Sequence, residues 1–316
     1  MNSSRYSTHL GLVGMAALWG ASWPWGRIVA QTMPPLAAAS LRFLLASAVL
    51  LLWLYRSGRT DTLHTLNARQ WAGLSCASAV GVLGYSIFFF LALKSVPAGK
   101  AAMVVALNPV LTMLFAVVLF REAVNWVMGA GMALAVTGAL YALSGGSLLA
   151  LHPGSSGSGA VLLLGCSACW VAYTLLGRMV LATVDALATT TVTAAIGAVL
   201  LLLASLTLEG PSAWGSLTAA PTAAWFSIVA LALGATALAY AWYLNGVKVL
   251  GAGSAAAYMS LVPLFGLAFS GLWLGEALTV SLLVGGAMAI LGMLLMNLGR
   301  LRMVNFPEVA NKNYRK

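Results

Sequence analysis

Residues 94–138 read KSVPAGKAAMVVALNPVLTMLFAVVLFREAVNWVMGAGMALAVTG, and residues 248–292 read KVLGAGSAAAYMSLVPLFGLAFSGLWLGEALTVSLLVGGAMAILG. At a fixed offset of 154 these 45-residue stretches share 14 identities. Chance in so Ala-, Leu- and Gly-rich a chain gives roughly four or five, so the chain repeats itself internally. The matches include Lys94/Lys248, Gly99/Gly253, Pro109/Pro263, Phe115/Phe269, Glu122/Glu276, Gly131/Gly285 and Gly138/Gly292. A second match, at an offset of 151, aligns Trp19-x-Ala21 and Gly26-Arg27 with Trp170-x-Ala172 and Gly177-Arg178.

The repeated material is hydrophobic, like the rest of the chain. Of 316 residues, 61% are hydrophobic and 7% charged, and the mean hydropathy is +0.96. A soluble protein carries about 25% charged residues, so this chain cannot clothe a globule in water. Sixteen Lys and Arg against six Asp and Glu leave a net charge of +10. Nucleic-acid binders gather such charge on one soluble face, whereas here it is scattered between long apolar runs, so no nucleic acid is expected. Disorder is excluded by the same apolar composition.

Runs of about 20 apolar residues suffice to cross a bilayer. Ten are read: 10–31, 36–55, 71–93, 98–120, 126–143, 159–180, 186–208, 223–247, 253–274 and 280–298. Barrel strands would be half as long and would alternate, so these are helices, and the fold class is all-α polytopic membrane protein. The first run is too long for a secretory signal and is kept as a helix. With the N-terminus in the cytoplasm, the outer side holds Arg27, Lys94 and Lys100, Arg42 is embedded, and the other twelve basic residues lie inside. Positive charge therefore favours cytoplasmic N- and C-termini.

Each half has five helices, an odd number, so the second must enter the membrane from the opposite side. The expected organisation is a cytoplasmic tail (1–9), a first five-helix repeat (10–143), a Gly- and Ser-rich linker (144–158), a second five-helix repeat (159–298) and a basic cytoplasmic tail (299–316). Inverted repeats are common in secondary transporters, with the substrate held near the midplane between the halves. Small-residue spacings at Ala102-x-x-x-Ala106 and Ala256-x-x-x-Ser260 would let helices approach closely.

Trp19-Gly20-Ala21-Ser22, Arg42-Phe43, Pro109 with Glu122-Ala123, and Pro263 with Glu276-Ala277 together resemble the drug/metabolite transporter superfamily, in particular its EamA-type ten-helix exporters. The resemblance covers about residues 10–298 and rests on the order and repetition of motifs that are individually weak. It implies export of small metabolites, commonly amino acids, across a bacterial inner membrane by alternating access. Among the family's members the chain looks most like the aromatic or neutral amino-acid exporters.

Substrate contact is expected from aromatic and amide side chains inside spans: Trp19, Tyr85, Asn108, Trp170, Tyr240 and Tyr258. Trp53, Trp71, Trp225, Trp242 and Tyr243 sit nearer span ends and read as an interfacial belt. Pro24, Pro109 and Pro263 free a helix carbonyl and kink their spans, either where a path bends or simply to improve packing. Glu122 and Glu276, at repeat-related span ends, read as helix-junction or gate residues. Arg42 could bind a substrate carboxylate or snorkel outward, but pairing with Glu276 is the favoured reading.

What is missing narrows the function. His9, His64 and His152 fall in tails or loops, and no Asp or Glu lies deep in a span. Intramembrane hydrolysis needs an aspartate pair, a Ser–His pair or a metal cluster, so an enzyme is not expected, nor a cofactor or metal. Cys166-x-x-Cys169 lacks a second ligand pair and reads as packing. Organic cations would want an embedded carboxylate and nucleotide sugars several basic groups, which leaves a neutral or zwitterionic substrate. Membrane lipid and that small molecule are the expected partners of a monomer or weak homodimer. The alternatives are an exporter of other metabolites or drugs within the same superfamily, or a channel or non-transporting membrane scaffold.

Overall fold

A computed structural model describes residues 2–105, 107–146, 157–180 and 184–305. Ten long helices are described: α1 (Asn2–Thr32), α2 (Pro35–Arg56), α3 (Ala68–Ser95), α4 (Ala98–Phe120), α5 (Trp126–Leu143), α6 (Gly157–Val180), α7 (Ala186–Glu209), α8 (Thr222–Leu250), α9 (Ser254–Leu274) and α10 (Val280–Asn305). No strand occurs among the described residues. Nine of these helices, α2 to α10, are long and apolar enough to cross a membrane. The expected first span lies within α1, whose 31 residues reach about 46 Å. Its apolar character is diluted by Trp19, Ser22, Trp23, Pro24, Trp25 and Arg27, several of which face the interior. Most of the expected linker (147–156), the end of the C-terminal tail (306–316) and Ala106 of the small-residue spacing lie outside the described residues.

The three prolines behave differently. Pro24 stays inside the unbroken α1. In α4 the helical segments are Ala98–Val105 and Asn108–Phe120, with Pro109 at the start of the second. In α9 a tight 3-10 turn, Tyr258–Leu261, precedes Val262–Leu274, and Pro263 again opens the second segment. Proline is tolerated in a first helical turn because the N–H it lacks would have no partner there. The repeat-related pair therefore restarts helices, and the expected kink is a break.

Wide π-type turns interrupt α3 over Ala79–Gly84 and α8 over Ala230–Leu238. Such turns shift side-chain register and expose carbonyls, and they concentrate at functional sites. Tyr85 directly follows the first and Tyr240 lies two residues beyond the second.

Small residues set the closest seam. A Cβ on Gly138 of α5 would stand 2.6 Å from the Gly285 carbonyl oxygen of α10, and one on Gly131 would stand 2.6 Å from that of Gly292. Only glycine permits backbones this close, and van der Waals contact of this kind drives helix association in lipid. At the 154 offset each of these two contacts is the image of the other. Helices α2 and α7 are tied at both ends by carboxylates on helix N-termini, where N–H groups and the helix dipole favour negative charge. Glu209 accepts from the Leu36 and Ala37 N–H groups, both at 2.9 Å. Asp185 accepts from Leu187 and Ala188, both at 3.1 Å, and pairs with Arg59 at 3.0 Å.

Candidate functional site

The helix breaks, the π turns and α1 converge on one cavity of about 130 Å³. Its walls include Trp19, Ser22 and Trp23 of α1, Arg42 of α2, Tyr85 of α3, Ala102, Asn108 and Pro109 of α4, and Trp170 of α6. Ala235 and Tyr240 of α8, Met259, Val262 and Pro263 of α9, and Met293 of α10 close the rest. The six residues expected at the substrate lie on α1, α3, α4, α6, α8 and α9, all of which line the cavity; α2 and α10 each add one residue.

Two aromatic pairs shape the walls. Trp19 meets Tyr240 edge-on at 5.5 Å between ring centroids, and Trp170 meets Tyr85 at 5.9 Å. Trp19 and Trp170 are repeat-related at the 151 offset, whereas Tyr85 and Tyr240 stand one residue out of the 154 register. Each pair joins one half to the other. Edge and tilted contacts of this kind suit the ring quadrupole. The Trp19 indole N–H donates to the Ala235 carbonyl at 2.9 Å, an acceptor presented by the π turn of α8. Tyr85 also stacks on Phe89, 5.9 Å away.

Arg42 departs from its favoured reading. Its Nη2 donates to the Thr236 hydroxyl at 3.2 Å, its guanidinium lies 5.1 Å from the Phe43 ring centroid, and it neither snorkels nor meets Glu276. Glu276 is held elsewhere: it pairs with Arg27 at 3.4 Å and accepts from the Ala98 and Gly99 N–H groups at 2.7 and 2.9 Å. A helix N-terminus and a cation together outcompete a single Arg deep in another helix. Glu122 forms an ion pair with Arg178, whose guanidinium lies 4.5 Å from the Phe120 ring centroid. Both glutamates therefore sit at helix junctions away from the cavity.

Tyr258 is not among the lining residues. Its hydroxyl meets His9 Nδ1 at 2.6 Å, 249 residues away in sequence, and its side chain packs against the cluster that contains Leu12 and Met15. Pro24 also lies outside the lining. Tyr243, expected in the interfacial belt, instead tilts against Trp19 at 5.6 Å. Ser22, Trp23, Ala235, Met259, Val262 and Met293 are lining residues that the sequence does not single out for substrate contact. Ser22 and Trp23 are neighbours of the flagged Trp19, and Met259 of the flagged Tyr258, but Met293 carried no signal at all.

Among the described residues no group of His, Cys, Asp and Glu could hold a metal. The cavity offers aromatic faces, the Arg42 guanidinium and the Asn108 amide.

The chain is similar to known transporters over most of its length. The EamA-like transporter family matches residues 7–144 and again 157–298. An uncharacterized transporter of Bacillus subtilis, YyaM, is 29% identical over 284 residues, covering 90% of this chain and 91% of that protein. A probable terminal-alkyne amino-acid exporter of Streptantibioticus cattleyicolor is 31% identical over 244 residues, covering 76% and 78%. A protein of known crystal structure shares the fold with a TM-score of 0.65 at 23% identity, covering 91% of this chain and 96% of its own. The chain belongs to the EamA-like transporter family of the drug/metabolite transporter superfamily and is a multi-pass transporter of the bacterial inner membrane.

Proposed function

We propose that the chain is a secondary carrier that exports small neutral or zwitterionic metabolites, foremost amino acids with apolar or aromatic side chains, by alternating access around this cavity. The observation that carries the reading is the pairing of Trp19 with Tyr240 and of Trp170 with Tyr85, which builds one binding space from both halves. Ten spans in two inverted five-helix repeats, 10–143 and 159–298, with both termini cytoplasmic, form the proposed frame. The twofold match to one family, the reciprocal glycine contacts and the excess of positive charge on one side support it. The name of the Streptantibioticus relative supports an amino-acid cargo.

Binding in such a pocket combines apolar burial with a few oriented polar groups. The test is counterflow in proteoliposomes loaded with amino acids, nucleosides, sugars or lipophilic cations. Saturable exchange accelerated by amino acid on the far side is expected. Preference for lipophilic cations contradicts the substrate class, and flux without exchange acceleration contradicts the carrier.

A further inference from the structure

Two polar atoms of the cavity residues are buried without a partner: Nε of Arg42 and Oδ1 of Asn108. Asn108 as a whole is only 4% exposed. The first group is a cationic donor and the second an acceptor. Buried polar groups are nearly always satisfied, so an orphaned pair on the wall of one cavity requires an explanation.

Among the described residues no carboxylate serves Arg42 as a counter-ion. Of its six carboxylates, Glu122 and Asp185 pair with Arg178 and Arg59, Glu276 with Arg27, and Glu209 caps α2. Asp61 lies in the short helix Asp61–His64 between α2 and α3, and Glu308 falls outside the described residues. None of the described carboxylates lines the cavity. An embedded Arg without a counter-ion is costly and marks function by default.

Repeat architecture does not require these groups either. At the 151 offset Arg42 corresponds to Thr193, whose hydroxyl satisfies itself on the Thr189 carbonyl at 2.8 Å. At the 154 offset Asn108 corresponds to Val262, which also lines the cavity. Each half thus contributes a Trp and a Tyr to the walls, while the orphaned polar atoms of the lining residues occur in the first half alone. A cavity with aromatic walls, one unsatisfied cationic donor and one unsatisfied acceptor suits a ligand with a charged head and an apolar body.

We propose that Arg42 is the specificity-determining carboxylate anchor of the cavity and that Asn108 Oδ1 accepts from the ammonium group of the same ligand. The inference rests on the carrier reading and deepens it. Guanidinium presents a planar fork that matches a carboxylate, and the Trp19–Tyr240 and Trp170–Tyr85 pairs house the apolar remainder. A ligand without the carboxylate leaves the buried cation unpaired, and a site built for a polar group rejects analogues that lack it far more strongly than it rejects a change in apolar size.

The test measures binding of L-phenylalanine, 3-phenylpropionate, phenethylamine and phenylalaninamide to the full chain in lipid nanodiscs. Quenching of tryptophan fluorescence is the readout, since Trp19, Trp23 and Trp170 all line the cavity. L-Phenylalanine should bind tightest and 3-phenylpropionate next. The amine and the amide, which lack a carboxylate, should be weaker than L-phenylalanine by about a hundredfold. Arg42→Gln should remove that preference, and Arg42→Lys should restore part of it. Amine or amide binding as tight as the acids, or an Arg42→Gln protein of unchanged melting temperature that keeps the carboxylate preference, overturns the anchor while leaving the carrier reading intact. Absence of binding by all four compounds overturns both. The wild-type series decides the matter even if Arg42→Gln does not fold.

Discussion

The same ion pair occurs twice, and its two copies are not equivalent. Arg27 and Arg178 correspond at the 151 offset, Glu276 and Glu122 at 154. At the first copy the side chains are 19% and 15% exposed. Glu276 there also caps α4, and Arg27 also donates to the Leu93 and Val96 carbonyls. At the second copy Arg178 is 50% exposed and Glu122 22%. Beside the first copy a Cβ on Gly20 would stand 2.8 Å from the Gly266 amide nitrogen, so α1 and α9 meet backbone to backbone. The corresponding positions near the second copy are Val171 and Thr112, which hold backbones apart. One sequence pattern thus makes a locked end and a looser one. Under alternating access the two ends would exchange these roles, with the Arg27–Glu276 network the one to be released.

Three substitutions bear on this contrast. Gly20→Val imports the residue of the looser end into the tight seam. Overlap with the backbone of α9 should cost about 3 kcal/mol, read as a large fall in melting temperature; a shift no larger than that of an exposed surface mutant would mean the seam is not tight. Glu276→Gln removes a partly buried pair and weakens the cap on α4, for an expected loss of about 2 kcal/mol. It should also raise labelling of a cysteine placed at Gly99. Glu122→Gln at the looser end should cost no more than about 1 kcal/mol and should lose that effect in high salt, because exposed pairs are screened. Equal shifts for the two glutamates would erase the distinction between the ends.

Much of the architecture is readable from hydropathy and the two offsets. They flag Trp19, Trp170, Tyr85, Tyr240, Asn108, Pro109 and Pro263, all of which meet at the cavity. Less readable is which way a helix faces. A span that is apolar all round has no polar face to fix its rotation, which is how Tyr258 was directed at the cavity when it turns toward His9 on α1. Pairings across the halves are equally hidden. Glu276 chose Arg27 and the α4 N-terminus over Arg42 because several donors converge where it sits. Asp185, an acidic residue just before an apolar run, carries a visible helix-start signal; Glu209, which caps a helix 173 residues away, carries none.

The central claim is that the cavity is a path opened to each side in turn. It is tested most directly by cysteine accessibility in sealed vesicles of known orientation. The probe is a single cysteine at Ala102, which lines the cavity, in a protein whose Cys76, Cys166 and Cys169 are replaced. The account predicts labelling by a membrane-impermeant reagent from either side, with substrate shifting the balance between them. Labelling from one side alone, unchanged by substrate and by release of the Arg27–Glu276 pair, would contradict it.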